Sequence, residues 1–154
     1  MRLTFAAAST DPLAATATHA ALPLSLTILL VDDDPILLRS LRETLELDGH
    51  STLTANGGQQ GIDLFRSSLQ QEGPSTISAV ITDLGMPYVD GRSVARAVKQ
   101  LSPSTPVILL TGWGGRLLAE GEKIANIDGV LSKPPRLREL RKALAQLTLS
   151  TSRP

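Results

Sequence analysis

The chain has 154 residues, 42% of them hydrophobic and 19% charged, with fifteen basic and fifteen acidic side chains. That is enough to bury a real core in one domain, and the charge balance argues against nucleic acid or an anionic membrane surface as the main partner. With no cysteine, and only His19 and His50 far apart in the sequence, it excludes disulfides, thiolate chemistry and cysteine-ligated zinc, and disfavours a Ser-His-Asp triad.

No apolar run approaches the ~20 residues of a membrane span. The first stretch, MRLTFAAASTDPLAATATHAALP, imitates an export signal only faintly, because Asp11 and Pro12 interrupt its apolar patch. Residues 1–25 are therefore expected to be a disordered tether, and the protein is expected in the cytoplasm. LTILLV at residues 26–31 is a continuous apolar run, the mark of a strand buried on both faces. Three aspartates follow it, Asp32, Asp33 and Asp34. A helix beginning at Pro35 needs one acidic N-cap, not three, so the excess has to be explained.

The helix from Pro35 carries Leu37 or Leu38, Leu41 and Leu45 at helical spacing and closes at Asp48-Gly49. STLTA (51–55) alternates like an edge strand. Asn56-Gly57-Gly58 breaks the chain before a helix with Ile62, Leu64 and Phe65, and residues 68–78 read as a polar loop. ISAVIT (77–82) is a third strand that ends at Asp83. A turn through Met86-Pro87 and Asp90-Gly91 leads to a helix with Val94, Ala95, Val98 and Leu101. PVILLT (106–111) is a fourth strand, followed by a short helix over 116–125. GVLS (129–132) is a fifth strand ending at Lys133-Pro134, and a last helix over 136–147 keeps Leu137, Leu140, Leu144 and Leu147 on one face. Strands alternating with helices imply a doubly wound parallel sheet of five strands with helices on both faces.

Four of these strands deliver a polar residue at the C-terminal end: the aspartate triplet, Asp83, Thr111 and Lys133. Ligands bind at that edge of open α/β sheets. Clustered carboxylates suit a hard cation such as Mg²⁺, an aspartate can act as the nucleophile that forms an acyl phosphate, and a lysine and a hydroxyl can compensate the transferred oxygens.

VDDDP, VITDLGMPYVDG, PVILLTG and GVLSKP, in this order, resemble the receiver domain of two-component response regulators. The resemblance covers about residues 26–147, and the domain is set at 26–148 with a flexible tail at 149–154. It implies a flavodoxin-like strand order 2-1-3-4-5 and a phosphoacceptor in two-component signalling or phosphorelay. Asp83 would take a phosphoryl group from the phosphohistidine of a histidine kinase or histidine phosphotransfer protein, with Mg²⁺ as cofactor and slow self-dephosphorylation. Asp33 resembles a direct Mg²⁺ ligand, Asp32 its water-mediated neighbour, and Gly85 a backbone-carbonyl ligand. Thr111 and Lys133 resemble the residues that meet the phosphoryl oxygens, and Pro134 is implied to follow a cis bond. Asp34 matches no role of the family and is assigned to capping the helix at Pro35. No turnover activity beyond the chain's own phosphorylation and dephosphorylation is expected unless it is part of a hybrid histidine kinase.

Two departures stand out. Val130 lies where many receivers carry a switching aromatic three residues before the lysine, and Pro135 where phenylalanine commonly follows Lys-Pro. Trp113 stands beside the expected phosphate entrance, where it would slow attack by water. His50 is expected on the surface, and the basic residues of the last helix (Arg136, Arg138, Arg141, Lys142) as a solvated stripe. Asp32-x-Asp34 also fits a haloacid-dehalogenase-type phosphatase, but only Glu139 follows Lys133 among acids and Asp83 would go unexplained. A pseudo-receiver that never takes phosphate is the alternative; such modules usually lose one of the acidic, hydroxyl or lysine positions, and none is lost here. No output domain is expected after the last helix. MRLTFAAA resembles the closing strand of a histidine-kinase ATPase domain, so residues 1–25 are expected to be a tether or the remnant of such a domain, and the resemblance leaves open both a stand-alone regulator and the C-terminal receiver of a hybrid kinase.

Overall fold

A computed structural model describes residues 25–71, 77–112 and 126–151. The expected tether, Trp113 and the expected helix over 116–125 lie outside the described residues. In chain order the elements are β1 (Thr27–Val31), α1 (Pro35–Leu47), β2 (Ser51–Ala55), α2 (Gly58–Gln70), β3 (Ala79–Asp83), α3 (Gly91–Leu101), β4 (Val107–Thr111), β5 (Gly129–Ser132) and α4 (Leu137–Thr151).

All four strand pairings are parallel and the order is β2-β1-β3-β4-β5, the flavodoxin-like arrangement expected. The continuous apolar runs are buried throughout in β3 and β4, and nearly so in β1, because helices cover both faces. Successive residues of a strand face opposite ways, and β1 divides its side chains accordingly. Ile28 and Leu30 join Leu38, Leu41, Leu45, Leu140 and Leu144 of α1 and α4 in one core cluster. Leu29 and Val31 join Ile62 and Phe65 of α2 and Val94 and Val98 of α3 in the other. The alternating STLTA strand lies at one edge of the sheet, as expected.

Several local expectations need correction. α2 runs on to Gln70, into the stretch expected to be a loop, since Ser68 is buried and satisfies its hydroxyl by donating to Phe65 O at 2.7 Å. α4 extends to Thr151, past the end at 147 expected for the last helix, and of its leucine face Leu140 and Leu144 are buried whereas Leu137 is exposed. His50 is half-buried rather than superficial; its Nδ1 accepts the backbone N–H of Leu26 at 3.1 Å and so holds the entry to β1. Arg136, Arg138, Arg141 and Lys142 are exposed, as expected, and Arg141 is in addition paired with Asp48 at the end of α1.

At the N-terminal edge of the sheet, Lys99 of α3 reaches Asp128 Oδ2 at 2.7 Å and Thr105 O at 2.8 Å, while the same Asp128 oxygen accepts Val107 N–H at 2.8 Å. This polar clamp ties α3 to the start of β4. Among the described residues no helix is long and apolar enough to cross a membrane.

Candidate functional site

The C-terminal edge of the sheet gathers the residues singled out in the sequence. Asp32 is the first residue past β1; its backbone N–H donates to Ala55 O at 3.1 Å, which extends the β1–β2 ladder by one rung and leaves the side chain 1% exposed. Asp83 closes β3 and is buried. Thr111 closes β4 and is buried, paired in register with Ser132, and its carbonyl accepts Lys133 N–H at 3.1 Å. Lys133 follows β5, and its bond to Pro134 is cis.

The Lys133 ammonium stands between two of these acids. Nζ lies 3.0 Å from Asp32 Oδ2 and 3.2 Å from Asp83 Oδ2. It donates a hydrogen bond to Asp32 Oδ1 at 3.3 Å, and the Asp34 backbone N–H donates to the same oxygen at 2.8 Å. Asp32 Oδ2 is different: buried, with the ammonium near but off the hydrogen-bonding line, it has no hydrogen-bond donor. A buried carboxylate oxygen with no donor is costly unless something else meets it.

Burial pushes the Asp32 carboxyl above the usual aspartate range, against the opposing Asp34 hydrogen bond and the Lys133 contact. Burial works against the charged form of Lys133 too, but the hydrogen bonds and charges of Asp32, then of Asp83, outweigh it and hold the ammonium's pKa up. The lysine is a fixed positive charge at any physiological pH.

Within the aspartate triplet, Asp34 is set apart from Asp32 and Asp33. Asp34 is the N-cap of α1, its Oδ1 accepting Ile36 N–H at 2.9 Å and Leu37 N–H at 3.4 Å. Asp33 is exposed, and with Asp32 and Asp83 it offers carboxylate oxygens that all lie within 4.8 Å of one another. Three hard oxygen donors, one of them carrying the orphaned Oδ2, have the composition a magnesium ion favours. The residues fit such an ion. Gly85 is exposed in the loop after Asp83, with open space where a Cβ would stand.

The family model of the response regulator receiver domain matches residues 28–145. The chain belongs to the response regulator receiver family. Over 119 residues it is 31% identical to the autoinducer 1 sensor kinase/phosphatase LuxN of Vibrio harveyi, covering 77% of this chain and 13% of LuxN. It is 36% identical over 113 residues to the transcriptional regulatory protein CpxR of Escherichia coli K12, covering 73% of this chain and 45% of CpxR. The chain thus spans less than half of either relative. Among solved structures, a response regulator receiver domain protein from Clostridium thermocellum superposes with a TM-score of 0.68 at 29% identity, over 82% of this receiver and 96% of that chain.

Sequence reasoning found the polar residues of this edge but missed two glycines that support it. Gly91, the first residue of α3, packs against the Asp83 carbonyl, and Gly58, the first of α2, packs against the Val89 carbonyl. A glycine opening a helix, where a better helix former would be expected, was the available signal.

Proposed function

We propose that this receiver accepts a phosphoryl group on Asp83 from the phosphohistidine of a histidine kinase or histidine phosphotransfer protein. The observation that carries the reading is the Lys133 ammonium held between the buried carboxylates of Asp32 and Asp83, at 3.0 and 3.2 Å. A lysine there has little structural purpose unless negative charge accumulates between those groups.

An Asp83 carboxylate oxygen attacks phosphorus, the phosphorus–nitrogen bond to the donor ring breaks, and the ring, already protonated on its other nitrogen, takes the bonding electron pair and departs as neutral imidazole. The product is an acyl phosphate with more negative charge than the carboxylate it replaces. Lys133 then exchanges its hold on Asp83 for the new phosphoryl oxygens, and the Thr111 hydroxyl, ending the neighbouring strand, donates to them as well. Asp32, Asp33, Asp83 and the Gly85 carbonyl would hold Mg²⁺, which supplies neutralising charge to the carboxylates and the transferred oxygens. Hydrolysis of the acyl phosphate by water at the same site returns Asp83 slowly. The cytoplasm, where kinases draw on ATP, is the setting that fits this exchange.

Intact mass after incubation with acetyl phosphate and Mg²⁺ tests the reading. A single phosphoryl adduct that requires the metal, is labile to hydroxylamine and is absent from Asp83→Asn is the expected result. No adduct from either acetyl phosphate or a phosphohistidine donor overturns it in favour of a pseudo-receiver.

A further inference from the structure

The loop that leaves Asp83 is held at two places where a neighbouring element lacks a Cβ. One is Gly91, where an added Cβ would press on the Asp83 carbonyl and come within 2.9 Å of Leu109 Cδ1. This contact is made by the loop's own end. The other comes from a different element: a Cβ on Gly58 of α2 would run into the Val89 carbonyl oxygen and stand 2.6 Å from Val89 Cγ1 and 2.8 Å from its Cβ. Between these supports the loop closes on itself, with Gly91 N–H donating to Leu84 O at 3.1 Å and Val89 N–H to Pro87 O at 2.7 Å. Gly85 lies inside that closure.

We infer that Gly58 is a positioning residue for the cation site, acting through Val89 on the loop that carries Gly85. The inference rests on the reading of Asp32, Asp33, Asp83 and Gly85 as that site. Its physical content is the kind of atom that would be struck. A rotatable side chain can move aside, but a backbone carbonyl can yield only if the loop itself moves. A displaced loop carries the Gly85 carbonyl with it and disturbs the backbone leaving Asp83, and cation sites are sensitive to shifts in the groups that orient their ligands.

The neighbouring glycines provide controls within the same helix start. Gly57 is extended, with open space where a Cβ would go. Gly61 is tightly packed, but the atoms a Cβ would strike are the Cγ2 and Cγ1 of Val31, at 2.7 and 3.0 Å, in the core. Gly57→Ala should therefore change little, and Gly61→Ala should cost stability without moving the loop.

The experiment titrates Mn²⁺ into the metal-free full chain, reading free Mn²⁺ by electron paramagnetic resonance. It compares the parent with Gly57→Ala, Gly58→Ala and Gly61→Ala at a temperature where circular dichroism finds each folded. Gly58→Ala is expected to bind about tenfold more weakly, the low end of the effect of losing an outer support, while the other two match the parent. Amide resonances of residues 84–90 in the metal-free protein should shift in Gly58→Ala alone. Equal affinity in Gly58→Ala and parent overturns the inference, as does weaker binding in Gly58→Ala with the amides of the loop unshifted, which would mean that the loop does not carry the effect. A parent that binds no Mn²⁺ overturns the cation reading first, and the positioning role with it. Should Gly58→Ala not fold, Val89→Gly tests the same contact from the loop side: weaker binding supports the role, and parental binding removes it.

Discussion

Arg141 grips Asp48 with two parallel hydrogen bonds, Nε to Oδ2 at 2.8 Å and Nη2 to Oδ1 at 2.7 Å. Asp48 is the residue that caps the C-terminus of α1, so this two-pronged pair fastens the last helix to the first across the core cluster they share. Two-pronged geometry of this kind is specific to arginine, whose planar fork matches a carboxylate.

Arg141→Lys should therefore behave more like Arg141→Ala than like the parent. Both variants are expected to exchange backbone amides of α4 faster, with the rest of the sheet unchanged, by hydrogen-exchange mass spectrometry. Parental protection in the lysine variant would mean that simple charge suffices.

Asp34 and Asp33 should separate cleanly by substitution. Asp34→Ala removes the N-cap of α1 and is expected to cost about 1 kcal/mol in urea unfolding, with Mg²⁺ affinity retained. Asp33→Asn should leave stability near the parental value or above it, because three mutually repelling carboxylates become two, and should weaken Mg²⁺ binding. A reversed pattern would reassign both residues.

His50 should make stability depend on pH. Burial holds its pKa below the ordinary value of 6.5, and its Nδ1 must be unprotonated to accept the Leu26 N–H. A folded-state value lower than the unfolded one means that the unfolded chain binds the extra proton first. The contribution is fully present above the unfolded value and is lost as pH falls from there through the folded value. Unfolding midpoints in urea should decline across that window for the parent. The His50-specific part of the decline should disappear in His50→Gln; an identical slope in the variant would exclude the histidine as its source.

Tyr88 sits at φ 67° in the loop after Asp83, fully exposed, flanked by the Val89–Pro87 hydrogen bond. A left-handed backbone costs a residue with a side chain roughly 1–2 kcal/mol, part of which glycine's greater unfolded-state freedom would offset. Tyr88→Gly is expected to raise stability by up to about 1 kcal/mol by denaturant titration. A clear loss would show that the aromatic ring contributes something that its exposure hides.

What the sequence made legible follows from what kind of pattern each feature leaves. Strands buried on both faces leave unbroken apolar runs, so β1, β3 and β4 could be recognised, and the polar residues that end them pointed to one edge. Contacts between distant segments leave no such trace. Nothing near His50 indicates that Leu26 will offer it an N–H, and nothing in α4 marks Arg141 apart from Arg138. Ser68 looked like a loop residue because a serine that returns its hydroxyl to a carbonyl three positions back is indistinguishable, in sequence, from one that faces water. Gly58 belongs to the same class: its reason for lacking a side chain is Val89, on the far side of β3 in the chain.

The sheet order has a consequence for synthesis. β3, which ends in Asp83, lies between β1 and β4, but the ammonium that answers its charge arrives only after β5, the last strand of this sheet in chain order and one of its edges. A nascent chain that has extended through β4 already holds both carboxylates with no cation of its own between them. In the finished sheet β5 is held by its β4 pairing, and the Lys133 that follows it meets the charge at the end of β3. Charge balance at this edge is, on this arrangement, a property that only the finished domain possesses.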